Sequence, residues 1–145
     1  MGNGALLAGI GRALGPDVRR VGVAADAAPV MAESWHARRV VADDRCATIA
    51  DGLAVRVAIP RAVEWLLDYA DELFTVSEEE LKTGVAELWG NGIRAEPSAA
   101  AALAALPRVP ERPVVLVVTG RNIDDALLAE CLDFDAQRSG SSSSG

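Results

Sequence analysis

Gly2-Asn3-Gly4-Ala5 runs directly into Leu6-Leu7-Ala8-Gly9-Ile10, and the reading of that stretch decides how the rest of the chain is laid out. Two glycines allow a tight turn that bares backbone N–H groups, and an apolar helix follows at once. Unpaired donors and the positive end of a helix dipole then converge on one point, which suits a phosphate. The same residues also fit a frayed chain start. They do not fit an ordinary nucleotide loop. The Rossmann fingerprint needs a third glycine where Leu7 stands, and no Walker lysine follows.

Residues 4–14 read as a helix with Leu6, Leu7, Ile10 and Leu14 on one side, stopped by Gly15-Pro16. Residues 18–24 read as a strand with an apolar end, as in a buried parallel sheet. A second helix is expected over 28–37. Residues 48–55 read as an extended stretch broken by glycine. Pro60 opens a helix over 61–70, and 73–76 is a strand. Ser77 and Glu80 have capping-box spacing, with Val76 and Leu81 placed as a hydrophobic staple. Leu81, Val85, Leu88 and Trp89 form the buried stripe of that helix, which Gly90-Asn91-Gly92 ends. Pro97 suits the first position of an Ala- and Leu-rich helix over 98–106. Val114-Val115-Leu116-Val117-Val118 reads as a central strand, apolar on both faces. Thr119-Gly120-Arg121-Asn122 turns into a last helix over 123–132.

Strands alternating with helices define the α/β class: a mostly parallel sheet flanked by helices in three layers. Residues 1–135 form the domain, and 136–145 a flexible Ser/Gly tail. Ligands in such folds collect at the carboxyl ends of the strands, where Thr119 and its neighbours lie.

Half of the 145 residues are hydrophobic but only 4% are aromatic, so Ala, Val and Leu must fill the core. The net charge of −7 provides no basic footprint for nucleic acid. No apolar run is long enough to span a bilayer, and no signal peptide is visible. Cys46 and Cys131 lack metal spacing and read as reduced, buried thiols of a cytoplasmic protein. Trp65 and Trp89 are expected in the core, and His36 on a solvated helix face.

Four segments together resemble the carboxyl-terminal half of pyridoxal-phosphate enzymes of the tryptophan-synthase-β fold, the branch of threonine and serine dehydratases and threonine synthase. The first is the Gly2-to-Ile10 stretch, similar to the family's phosphate loop and following helix. The second is Thr48-Ile49-Ala50-Asp51-Gly52-Leu53-Ala54-Val55. The third is Glu96-Pro97-Ser98-Ala99-Ala100, and the fourth Val117-Val118-Thr119-Gly120-Arg121-Asn122-Ile123-Asp124. The order and spacing of four motifs over residues 2–132 are far more specific than any one of them.

The resemblance implies roles. Backbone N–H groups of Gly2, Asn3, Gly4 and Ala5 would hold the phosphate of pyridoxal phosphate. Thr119 would offer its hydroxyl to the pyridine nitrogen, Glu96 would lie near the ring, and Gly52 near its face. A hydroxyl supports a protonated ring less well than a carboxylate does, which favours loss of a leaving group over transamination. The implied reaction removes the β-hydroxyl of threonine or serine and yields a 2-oxo acid and ammonia. The implied substrate is a small amino acid, with no nucleic-acid or membrane partner.

The departures are as informative. Asn3 and Ala5 replace two glycines of the family's loop, and Asn is more like threonine-synthase-type members. Arg121 stands at the usual second glycine of the last motif. Ala24-Ala25 stand where some dehydratases have a cation-binding carboxylate, so no metal is expected. The family's Schiff-base lysine belongs to the amino-terminal half and has no counterpart here. Lys82 is the sole lysine, on an acidic helix face, so no catalytic residue is assigned. The chain is expected to be a fragment, inactive alone, acting as a homo-oligomer or paired with an amino-terminal half. A threonine-synthase-like γ-replacement enzyme, a non-catalytic α/β module and a non-covalent phosphate-ligand domain are the competing readings.

Overall fold

A computed structural model describes residues 1–141. Two strands form the sheet, β1 (Val21–Ala25) and β2 (Glu72–Val76), paired in parallel with Val23 opposite Phe74. The crossover between them carries α2 (Val30–Ala37) and α3 (Pro60–Tyr69). The first helix, α1 (Ala5–Leu14), precedes β1, and α4 (Glu78–Gly90), α5 (Pro97–Ala104) and α6 (Asp125–Ser141) follow β2. This is an α/β arrangement built on parallel pairing.

Core side chains cover both faces of the strand pair. On one side Ala24 and Leu73 pack with Val30, Met31, Val63 and Leu66 of α2 and α3. On the other, Ala25 and Val76 pack with Leu53, Leu81 and Ala101. A third cluster joins α4, α5 and α6 through Val85, Leu88, Ala99, Leu128 and Cys131. With so few aromatic residues, close helix approach must replace bulk. Gly84 of α4 provides it: a Cβ there would stand 3.1 Å from the Ala100 carbonyl oxygen.

Local signals set the helix ends. The Glu80 amide donates to Ser77 Oγ at 3.2 Å, and the Ser77 amide donates to Glu80 Oε2 at 2.7 Å. The capping box therefore forms in full, and Val76 and Leu81 share one core cluster beside it. Pro60 and Pro97 sit at the first turns of α3 and α5, where a missing N–H costs nothing. The Leu127 amide donates to Asp124 Oδ1 at 2.7 Å at the start of α6. Ser34, buried in α2, accepts from the Val41 amide at 3.0 Å.

Several expectations fail. Residues 114–118 are not a strand: among the described residues nothing pairs with them, although their exposure alternates along the run. Apolar character on both faces reports what a segment would bury, and here no ladder partner meets it. Residues 51–53 form one 3₁₀ turn instead of extended chain. Trp65 and Trp89 are 40% and 42% exposed, each at the edge of its stripe, and Arg61 lies over the Trp65 ring at 5.6 Å. Helix α6 runs on to Ser141, into the stretch expected to be a tail; residues 142–145 lie outside the described residues. Cys131 is buried and Cys46 only half-buried, both as free thiols.

Candidate functional site

The site grows from the entry to α1. Gly4 caps the helix with φ 79°, a left-handed conformation open to glycine. The first helical bond runs from the Ala8 amide to the Gly4 carbonyl at 2.9 Å. Among the described residues no acceptor meets the N–H groups of Gly2, Asn3, Gly4 or Ala5. Four donors and the helix dipole thus remain free at one point, an arrangement that holds an anion. The loop has no room for side chains on its protein side. A Cβ on Gly2 would lie 2.7 Å from the Gly52 carbonyl oxygen, and one on Gly4 would lie 2.7 Å from Leu66 Cδ2. Asn3 Oδ1 is buried without a partner, an orphaned acceptor in the loop itself.

The loop opens on a cavity of about 1070 Å³. Gly2, Asn3, Gly4 and Ala5 line it together with Gly52, Glu96, Ser98 and Thr119. Every residue singled out from the sequence as cofactor-binding therefore borders one space. Gly52 is fixed by Ser98, whose Oγ accepts from the Gly52 amide at 3.0 Å, and by Asp51 Oδ1 at 2.7 Å. Ser98 is the positioning residue that sequence reasoning passed over, although it belongs to the quoted Glu96-Pro97-Ser98 segment. Glu96 is fixed by the last motif. Its Oε2 accepts from the Asn122 amide at 3.3 Å, and its own amide donates to the Gly120 carbonyl at 3.3 Å. Gly120 has φ 101°, and a Cβ there would stand 2.6 Å from the Glu96 carboxylate. Only glycine allows this wall to close.

Lys82 does not reach this space. It lies on α4, pairs with Glu130 at 2.7 Å and sits 5.5 Å from the centre of the Phe134 ring. The hydrogen bond to Glu130 raises its pKa, which keeps the amine protonated. His36 and Arg121 are exposed and border no part of the cavity. Among the described residues no group of three His, Cys, Asp or Glu is placed to hold a metal. No helix among them is long and apolar enough to cross a membrane.

Free backbone donors at a helix entry and Thr119 thus border one cavity of an α/β fold. The chain belongs to the pyridoxal-phosphate dependent enzyme family, whose sequence model matches residues 1–120. It is 33% identical over 135 residues to a catabolic L-threonine dehydratase of Staphylococcus aureus, covering 86% of this chain and 39% of that one. It is 28% identical to an L-threonine ammonia-lyase of Thermotoga maritima, covering 97% of this chain and 37% of that one. Among solved structures, the threonine deaminase of T.th. superposes with a TM-score of 0.77 at 31% identity, over 86% of this chain and 47% of that one. The chain thus spans about two fifths of the length of the curated relatives it matches.

Proposed function

We propose that this chain is the cofactor-cradling part of a pyridoxal-phosphate-dependent lyase that removes the β-hydroxyl of threonine or serine, leaving a 2-oxo acid and ammonia. One observation carries the reading. Residues 2–5, whose N–H groups are free, and Thr119 line the same cavity. The residues present fit the cofactor: the cradle takes a dianionic phosphate, and the glycines leave the backbone bare for it.

The parts divide by chemistry. Gly2, Asn3, Gly4 and Ala5 hold the phosphate through their backbone donors. Thr119 offers a hydroxyl to the ring nitrogen. Glu96, held by Asn122 and Gly120, and Gly52, held by Ser98, would form the cavity wall beside the bound ring. Bound pyridoxal phosphate supplies the electron sink for negative charge at the substrate α-carbon. A hydroxyl partner for the ring keeps that sink moderate, which suits rapid loss of a β-leaving group. The relatives support the substrate class, since two are described by their action on L-threonine. The two free thiols suit a reducing, cytoplasmic setting.

Lys82 lies outside the cavity, which favours a second reading: a module that binds the cofactor without covalent chemistry, catalytic only when another segment brings the amine. Equilibrium titration with pyridoxal phosphate, with inorganic phosphate as competitor, tests both. Saturable binding relieved by phosphate is the expected result. Absence of binding by either compound sinks the cradle and both readings with it.

A further inference from the structure

The turn that backs the cradle is itself held from behind. Residues 51–53 form one 3₁₀ turn, closed by the Leu53 amide on the Ala50 carbonyl at 2.8 Å. The Gly52 carbonyl oxygen is the atom against which Gly2 packs, so this turn sets where the loop of residues 2–5 can lie. The Ser98 hydroxyl fixes the middle of the turn through the Gly52 amide. The chain entering the turn is fixed by Glu78, the first residue of α4. Glu78 Oε2 accepts from the Ile49 amide at 2.8 Å.

The placement of Glu78 is unlike that of an acid that serves only its own helix. Glu78, Glu79 and Glu80 stand together in the first turn of α4, where the helix dipole favours negative charge. Glu79 meets that dipole from solvent and is exposed. Glu80 closes the capping box and pairs with Arg108. Glu78 instead turns onto a segment 29 residues away in sequence. Its second oxygen, Oε1, is buried with no hydrogen-bond partner among the described residues. Burying a carboxylate oxygen unsatisfied is unfavourable, and the dipole alone does not require it. The bond to Ile49 is what the buried position gains. Just beyond that amide, Ala50 and Leu53 are buried in one core cluster with Val76 and Leu81. The turn is thus gripped by a carboxylate at its entry, a hydroxyl at its middle and an apolar anchor at its exit.

Resting on the functional reading above, we infer that Glu78 is a positioning residue of the phosphate cradle, acting through Ile49 and Gly52 on the loop of residues 2–5. It lines no part of the cavity, so it acts without touching a ligand. Its carboxylate fixes the entry to the turn, and the turn presents the Gly52 carbonyl. That oxygen bounds Gly2 so closely that no Cβ fits between them. A contact of backbone with backbone has no side chain to absorb a shift, so displacement of the turn passes to the cradle donors.

Three variants test this against the parent chain. Glu78→Asp keeps the charge in the first turn of α4 but draws it back by one methylene, beyond hydrogen-bond reach of the Ile49 amide. Glu78→Gln gives up the charge and keeps an acceptor of the same reach. Ser77→Ala weakens the same helix start without touching the turn. NMR of the cofactor-free chain reads the amide resonances, and titration reads affinity for pyridoxal phosphate and for inorganic phosphate. Glu78→Asp, in a chain that still melts cooperatively, is expected to move the resonances of Gly52 and residues 2–5 and to weaken both ligands roughly tenfold. Glu78→Gln should leave those resonances in place and bind within about threefold of the parent. Ser77→Ala should melt at a lower temperature yet keep both the resonances and the affinity. Unmoved resonances at residues 2–5 in Glu78→Asp, or an equal loss in Glu78→Gln or Ser77→Ala, overturns the inference. The resonances are read without ligand, so a parent that binds neither compound removes the cradle while the role of Glu78 is still judged on the shifts. A parent that binds, with no shift in Glu78→Asp, removes the role of Glu78 alone.

Discussion

Gly2 and Gly52, fifty residues apart in sequence, meet so closely that a Cβ on the first would stand 2.7 Å from the carbonyl oxygen of the second. A backbone oxygen cannot swing aside as a side chain can. Gly2→Ala must therefore displace the cradle from the turn that backs it. Loss of one or two charge-assisted donors predicts roughly a tenfold or greater loss of affinity for pyridoxal phosphate. Isothermal titration reads it, and an unchanged affinity would show that Gly2 takes no part.

Gly9 provides the matched control. It lies within α1, and a Cβ there meets nothing within 4 Å. Gly9→Ala should leave affinity unchanged and stabilise the chain by about 0.5–1 kcal/mol, the helix-interior difference between the two residues. Thermal unfolding of the two variants side by side separates damage to the cradle from damage to the helix.

The cap of α4 carries a pH signature. Burial works to raise the pKa of Glu80, but hydrogen bonds from the Ser77 amide and from Arg108 outweigh it and leave the value lowered. A carboxyl depressed by folding stabilises the native state fully above its unfolded pKa of about 4.3 and less as pH falls through the folded value. Glu80→Gln should thus be less stable than the parent at neutral pH, with the gap closing on acidification below about pH 4. Ser77→Ala, which removes the other half of the cap, should cost about 1 kcal/mol. A gap that is flat with pH would show that the charge is not what caps the helix.

The two cysteines should react unequally. Cys131 is fully buried, and burial is the main cause that raises its thiol pKa, with Glu130 adding to it. Cys46 is half-buried in the crossover. The thiolate is the reactive form, so a thiol reagent should modify Cys46 first and Cys131 only as the chain unfolds. Mass spectrometry of the native and denatured protein after brief labelling distinguishes the two.

What could be read from the sequence was local or was carried by likeness. The Ser77–Glu80 box needs only three residues of spacing and a backbone, so it is visible before any fold is known. The same holds for Pro60 and Pro97 at helix starts. The meeting of Gly2 with Gly52, or of Gly120 with Glu96, has no local signal; resemblance put these residues near one cofactor, and the cavity brings them together. The run at 114–118 misled because apolarity on two faces states what a segment would bury and not whether a ladder partner meets it, and among the described residues none does. Trp65 and Trp89 misled because a large ring can belong to an apolar stripe and still present an edge to water. Ser98 was hidden in plain view, since a serine that orients a backbone amide looks like any helix-start serine.

Covalent capture of the cofactor needs an amine that is neutral and near the cradle, and the single lysine here is neither. Lys82 is hydrogen-bonded to Glu130, which raises its pKa, and it lies against Phe134 outside the cavity. Borohydride reduction of the chain incubated with pyridoxal phosphate should therefore leave Lys82 unmodified, and Lys82→Arg should bind the cofactor as the parent does. Glu130→Gln removes the carboxylate that holds the ammonium, yet it does not bring Lys82 to the cradle, so it too should trap nothing. A reduced adduct at Lys82 that disappears with Gly2→Ala would place that amine at the cofactor and reverse the assignment. An adduct indifferent to Gly2→Ala would mark only a surface amine meeting a free aldehyde.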